Sequence, residues 1–281
     1  MTAAMIEPPA FTKGEGKTLL VEGLSVGFGG LLALDQVSMT ALQGEIVGVI
    51  GPNGAGKTTL FNIICGFVRA DSGQVSYGGS SLLEHHHPHD LTKLGIARTL
   101  QGVGLFAGLT VLENVMSGAQ AGLRCDIGSA FLGLWRSSRE EHRVAMRARI
   151  LLDDFGISAY ARYLPAALPY AIQKRAALAR ALIAEPSLLL LDEPASGLSN
   201  VEMDDLAAMI RGLSPRMGVL LVEHHMDLVM SVCDRLIVLN FGQVIADGTP
   251  DSIRSNPEVA TAYLGNEVHE SSGHLQGFDD A

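Results

Sequence analysis

The chain has 281 residues, enough for one large domain or two small ones around a substantial core. Apolar residues make up 47% and charged residues 18%, the balance of a globular α/β protein, and no apolar run reaches the ~18 residues a membrane-spanning helix needs. A formal net charge of −10 argues against a protein that grips the phosphate backbone of DNA or RNA.

Residues 1–17 lack an apolar stretch of secretory-signal length and read as a disordered leader. From Leu19 to Thr40 apolar and polar residues alternate around Gly29-Gly30, the pattern of antiparallel strands joined by a turn. EIVGVI then reads as a buried strand. It runs into the glycine-rich GPNGAGKTT and on to TLFNIICGF, whose spacing predicts a helix stopped at Gly66. Further on, EHHHPHD sets His85, His86, His87 and His89 around Pro88. Proline and polar flanks predict an exposed turn there, because spacing alone carries too little geometry for a metal site.

From about Val103 to Leu168 the periodicity is helical, through VLENVMSGA, SSREEHRVAMRARILLDDFGI and SAYARYL. Beyond it LLLLD and VLLVEH are short apolar runs separated by a helical segment, as in parallel strands with crossovers. DRLIVLNFGQVIADG predicts a β-hairpin turning at Phe241-Gly242, and HESSGHLQGFDDA a flexible polar tail. Cys65, Cys125 and Cys233 lie far apart with no CxxC spacing, which suits reduced thiols rather than a disulfide framework or zinc site.

The chemistry concentrates in three places. Gly51, Pro52, Asn53, Gly54, Ala55, Gly56, Lys57 and Thr58 match G-x-x-x-x-G-K-[ST] in full, with Thr59 continuing the helix start. Glycines let successive backbone N–H groups curl around phosphates, and the helix behind aims its positive end at them. Lys57 supplies a charge between β- and γ-phosphates, and the Thr58 hydroxyl a ligand for Mg²⁺. Asp192 ends the apolar strand LLLLD, where a carboxylate can hold the hydration shell of Mg²⁺. Glu193, one residue on, is placed to polarise an attacking water. His224 ends VLLVEH and so reaches the same crevice at the carboxyl edge of the sheet, with His225 beside it as a competitor for the role.

These motifs, with the Gln of ARTLQ and the stretch LPYAIQKRAALARAL, come in the order of an ABC transporter ATPase, and the resemblance spans about Leu19 to Gly265. FGGLLALDQVS, IARTLQGVGLFAGLTVLENV and DGTPDSIRSNPEVATAYLG further resemble the ATPase subunits of branched-chain amino acid importers, a group that includes urea and short-chain amide importers. Lipopolysaccharide-export ATPases look similar. The resemblance implies an α/β fold: a P-loop NTPase core of RecA-like type with an antiparallel β subdomain, over 18–102 and 166–266. A helical subdomain would fill 103–165 and a flexible tail 267–281. It implies ATP and Mg²⁺ as ligands, and peripheral attachment at the cytoplasmic face of the cell membrane. It implies as partners a second ATPase subunit, two membrane permease subunits and, indirectly, a solute-binding protein.

Residue by residue, the resemblance has Phe28 stack on adenine and Gln101 sense Mg²⁺ and the attacking water. Glu193 is the general base and His224 holds the γ-phosphate. The helical insert would seat a coupling helix of a membrane subunit beside Gln101. Phe131, Leu132, Leu134 and Trp135 are apolar enough for that contact or for ordinary core. The family's signature L-S-x-G-Q, which touches ATP held by the opposite subunit, appears here as Leu168, Pro169, Tyr170, Ala171, Ile172, followed by Gln173. Proline lacks both the hydroxyl and the N–H, and Ala171 adds a methyl group where a phosphate must come close. The helix should survive, since proline is tolerated at a helix start. Ser199 stands where many relatives of this type carry aspartate. Two other classes are weighed against this one. An ABC-type ATPase acting on DNA or ribosomes would be expected to show a basic face, a long coiled coil or two tandem cassettes. A regulatory subunit that hydrolyses poorly is favoured by the LPYAI tip and opposed by Lys57, Asp192, Glu193 and His224.

Overall fold

A computed structural model describes residues 17–83, 88–99, 102–119 and 136–263, with the side chains of His89 and 136–140 excepted. The expectations for His85, His86, His87, Gln101, Cys125 and the Phe131–Trp135 stretch fall outside these.

The first layer is antiparallel. β1 (Leu19–Phe28) and β2 (Leu31–Ala41) form the expected hairpin, and β4 (Ser72–Tyr77) and β5 (Ser80–Ser81) extend it in the order β2-β1-β4-β5. Gly29 and Gly30 turn the hairpin with φ of 56° and 87°, both in the left-handed region that a two-residue turn requires.

The second layer is a six-stranded sheet, ordered β10-β9-β3-β8-β7-β6. β3 (Ile46–Ile50), β6 (Ile96–Arg98), β7 (Leu188–Asp192), β8 (Gly218–Val222) and β9 (Arg235–Asn240) run parallel. β10 (Gln243–Gly248) closes one edge antiparallel after the predicted Phe241-Gly242 turn. Every residue of β3, β7 and β8 is buried. Alternation explains why these runs are apolar throughout: Leu189, Leu191, Val219 and Leu221 face one core, while Leu188, Leu190, Leu220 and Val222 face the other. At ~1.5–3 kcal/mol for each fully buried aliphatic side chain, these faces are a main source of cohesion.

α1 (Lys57–Ile64) packs in the core shared with the antiparallel layer. The opposite core holds α3 (Val111–Ser117), α4 (Arg136–Asp154), α5 (Tyr170–Leu182), α6 (Asn200–Leu213), α7 (Met226–Val232) and α8 (Pro250–Arg254), with a further helix over 257–263. Near-contact fixes α3 against α5: a Cβ on Gly118 would lie 2.0 Å from the Arg180 carbonyl oxygen. Arg235, 8% exposed, ties the layers together by bonding Glu45, Asp247 and the Thr40 carbonyl.

One local expectation needs correction. SAYARYL forms a single 3-10 turn, Ser158–Tyr160, rather than a helix. Its carbonyls are used elsewhere, since Val111 and Leu112 of α3 donate their N–H groups to Tyr163 and Ala161 at 2.9 and 3.0 Å. The short strand β6 and the one-turn helix α2 (Leu91–Leu94) before it had no counterpart in the sequence reading.

Candidate nucleotide site

The glycine loop joins β3 to α1 and is shaped by conformations that side chains resist. Gly51, Gly54 and Gly56 have φ of 148°, 78° and 104°. A Cβ on Gly51 would sit 2.1 Å from the Leu239 carbonyl oxygen, and one on Gly56 2.6 Å from that of Ala33. Gly54 has open space around it, as Asn53 does at the exposed rim. Ala55 is buried and its carbonyl accepts from the Gly242 N–H, so the β9–β10 turn braces the loop from behind.

Lys57 curls into the loop. Its ammonium donates to the carbonyls of Gly51 and Pro52 at 2.7 and 2.8 Å and is 9% exposed. Burial lowers its pKa, and the nearby Glu193 carboxylate pulls the other way. A buried cation ringed by a glycine loop is a charge seeking an anion. Thr58 is exposed and Thr59 half-buried on the first turn of α1. Replacing Lys57 by Ala should weaken ATP binding by ~1.5–3 kcal/mol, the worth of a charged hydrogen bond. Equilibrium binding of a fluorescent ATP analogue measures it, and unchanged affinity would contradict a phosphate-loop role.

Asp192 ends β7 beside β8, 4% exposed, with one carboxylate oxygen 2.7 Å from an Arg98 Nη2. The chain then turns sharply: Glu193 has φ 47°, unusual for a residue with a side chain. Such a conformation costs ~1–3 kcal/mol and persists only where neighbours enforce it. Here the Glu193 N–H donates to the Val222 carbonyl at 2.9 Å, and Lys174 of α5 donates to the Glu193 carbonyl at 3.2 Å. The structure therefore brings Lys57, Asp192 and Glu193 to one sheet edge.

His224 follows β8 at that edge with its side chain 52% exposed. His225 is engaged inward, its Nδ1 2.9 Å from a Glu223 carboxylate oxygen. This difference favours His224 over His225 as the residue free to meet a ligand. Phe28, 50% exposed, stands at the tip of the β1–β2 hairpin, and β2 reaches the loop through Ala33 and Leu34 beside Gly56.

Leu168 is buried in the helical core, and Pro169 caps α5 with φ −54° and ψ 147°, without a side-chain hydrogen bond. Ile172 and Gln173 donate their N–H groups to the Pro169 carbonyl, both at 3.1 Å. The Gln173 side chain bonds the Leu168 carbonyl at 3.0 Å. Tyr170 lies against Gly197, and Ala171 is half-buried behind it. Ser199 caps α6 in a reciprocal box with Glu202, its hydroxyl 2.7 Å from the carboxylate. Its presence at that position has a local structural reason.

The sequence alone assigns no role to Arg98 or Glu223 at this site, and Lys174 only agrees with the signature pattern without a role of its own. Glu223, fully buried, accepts from the N–H groups of Ala195, His224 and His225 and from the His225 ring. Burial pushes its pKa up, but these hydrogen bonds outweigh it and hold the carboxyl below its ordinary value of 4.5. One carboxylate thus joins the segment after Glu193 to the one carrying His224. A depressed folded pKa means stability that is complete above pH 4.5 and lost as pH falls through the folded value. Glu223→Gln should cost ~1–3 kcal/mol at pH 7 and remove that acid dependence. Thermal melting from pH 7 to 3.5 is the check, and parallel curves for both proteins would exclude it.

Comparison with known proteins agrees with this geometry. Residues 34–196 match the ABC transporter family model, and residues 243–269 match the branched-chain amino acid ATP-binding cassette transporter model. The chain is 38% identical over 249 residues to the high-affinity branched-chain amino acid transport ATP-binding protein BraF of Pseudomonas aeruginosa, covering 88% of this chain and 97% of that one. It is 39% identical over 255 residues to LivG of Escherichia coli, described in the same words, with the same coverage. The lipopolysaccharide export ATP-binding protein LptB of Haemophilus influenzae is 34% identical over 89% of this chain and 98% of its own. A nucleotide-free ATP-binding cassette from an ABC transporter superposes with TM-score 0.75 at 30% identity, covering 88% and 98% of the two chains. The ADP conformation of MJ1267, another such cassette, gives 0.75 at 29%, covering 89% and 99%. The chain belongs to the ATP-binding subunits of ABC transporters, with an ABC ATPase core of the P-loop type.

Proposed function

We propose that this chain is the ATP-hydrolysing motor subunit of an importer for branched-chain amino acids, attached at the cytoplasmic face of the cell membrane. Among the described residues no helix is long and apolar enough to cross a membrane, which fits peripheral attachment to membrane permease subunits. The catalytic half of the reading rests on one observation: a complete glycine loop at the same sheet edge as Asp192 and a strained Glu193. The importer half rests on the match of residues 243–269, together with identity to BraF and LivG above that to LptB. Lipopolysaccharide export is the less favoured assignment.

Thr58 and Asp192 suit Mg²⁺, since a hydroxyl and a carboxylate at the cradle's rim are hard oxygen donors. When bound, Mg²⁺ draws charge off the phosphate oxygens. Lys57 turns from its two carbonyls to the phosphates. Glu193 takes the proton of the attacking water, and Gln101 orients that water. His224 donates to the γ-phosphate and Phe28 stacks on adenine. Leu168 to Gln173 face nucleotide bound by a second ATPase subunit, in a homodimer or a heterodimer.

A shallow groove of about 240 Å³ lies between the core and the helical subdomain, lined among others by Phe67, Leu91, Ala97, Gly118 and Ala181. It suits a coupling helix from a permease subunit. The test is reconstitution with permease subunits and a solute-binding protein in proteoliposomes. ATP-driven uptake of leucine, isoleucine or valine supports the reading, whereas uptake of urea or amides alone overturns the solute assignment.

A further inference from the structure

The groove and the metal-facing carboxylate share one side chain. Arg98, on edge strand β6, lines the groove, yet its side chain is only 12% exposed because the guanidinium turns inward. Nη2 lies 2.7 Å from Asp192 Oδ2, and Nη1 donates to Asn62 Oδ1 of α1 at 3.1 Å. The guanidinium carbon stands 5.9 Å from the Phe61 ring centroid and 5.5 Å from that of Phe67, a groove residue. Among the described residues its Nε has no hydrogen-bond partner, although it is buried.

A buried ion pair is a weak device for stability, because desolvation offsets its attraction. It is a strong device for direction. The planar fork holds two elements at once, Nη1 on Asn62 of α1 and Nη2 on one Asp192 oxygen, and so fixes where that oxygen sits relative to α1, which the single point charge of lysine cannot do. The same fork is packed against the groove wall. An apolar side chain entering the groove would press on Phe67 and Arg98, and the carboxylate would turn with them.

We propose that Arg98 is a positioning residue that sets the Asp192 carboxylate for Mg²⁺ and makes that setting depend on what occupies the groove. The inference rests on the reading of Asp192 and the groove given above. No long relay is needed, since one side chain touches both places. By linkage, Mg²⁺ bound with ATP must also alter the groove.

The test uses the full chain and a fluorescent ATP analogue, bound first in EDTA and then during a Mg²⁺ titration. Arg98→Gln should bind the analogue in EDTA as the wild type does, while the Mg²⁺ needed for half-saturation rises roughly tenfold, the loss of a charge-assisted bond. Arg98→Lys keeps the charge and the fold, and should shift by roughly threefold, because one ammonium cannot serve Asp192 and Asn62 together. A second readout is an environment-sensitive dye on Thr92→Cys in the groove, in a Cys125→Ser background. Its emission should respond to Mg²⁺ added to the ATP-loaded protein with Arg98, and not with Gln at that position. Equal Mg²⁺ requirements, equal losses with and without Mg²⁺, or an unchanged dye response in the variant would each overturn the proposal. Nucleotide binding indifferent to Mg²⁺ in the wild type would instead overturn the reading of Asp192, and the proposal with it.

Discussion

Glu193→Gln is expected to leave nucleotide binding intact while lowering hydrolysis at this chain's loop by ~10²–10⁴-fold, the usual cost of removing a general base. Glutamine matches glutamate in size and should tolerate the enforced φ of 47°, so the turn after β7 is kept. Lys57 remains in its glycine loop and Asp192 keeps its bond to Arg98. Only the proton acceptor is lost. The measurement is steady-state turnover in a complex whose other ATPase subunit also lacks its Glu base, alongside equilibrium binding of the fluorescent analogue. Near-normal turnover with both bases removed would sink the assignment. A parallel fall in binding would instead mean that Glu193 acts through the position of Lys57, whose charge it already influences.

Local signals carried the sequence reading wherever they sufficed. The glycine loop, the two hairpin turns and the apolar strands β3, β7 and β8 each announce themselves within about ten residues. Their unbroken apolar character made Asp192 legible as a strand-end residue, while His224, expected to end its strand, lies two residues beyond the end of β8. Contacts across the chain were not legible. Arg98 and Asp192 are 94 positions apart, and β6 is three residues long, too short to display a period. Glu223 reads as one more polar residue after VLLV until folding shows it buried under three backbone donors. SAYARYL misled because Tyr160 and Tyr163 have helical spacing. Their ring centroids do meet, 5.8 Å apart and edge to face, but across a turn whose carbonyls serve α3. Tertiary demand for acceptors overrode local preference there. At Pro169 local preference prevailed: the helix starts directly after the proline, whose carbonyl takes the first two bonds.

That helix start is where the second large effect is expected. Replacing Pro169 by Ser together with Ala171 by Gly should strengthen ATP-dependent closure of two cassettes, the restored contacts contributing on the order of 1–4 kcal/mol before strain and ordering costs are deducted. Pro169 is exposed and α5 lacks any side-chain cap, so the tip offers an incoming phosphate neither hydroxyl nor proline N–H. The N–H groups of Ile172 and Gln173 are already committed to the Pro169 carbonyl. The tip's base needs no repair, since Leu168 is buried, Tyr170 lies against Gly197 and Lys174 reaches the Glu193 carbonyl. Stability should change little, because serine's capping gain of ~1 kcal/mol is offset by the flexibility it returns to the unfolded chain. Alone in solution the wild-type chain should remain largely monomeric with ATP and hydrolyse slowly, while the restored chain dimerises and turns over faster. Light scattering and phosphate release on the same samples read both quantities, with Lys57, Asp192, Glu193 and His224 unchanged throughout. Tight ATP-dependent homodimers and vigorous turnover in the wild type, with nothing added by restoration, would make LPYAI a working variant. If instead the wild type closes only with a different ATPase subunit bearing an intact serine and glycine, the weak tip assigns this chain to one half of an asymmetric pair.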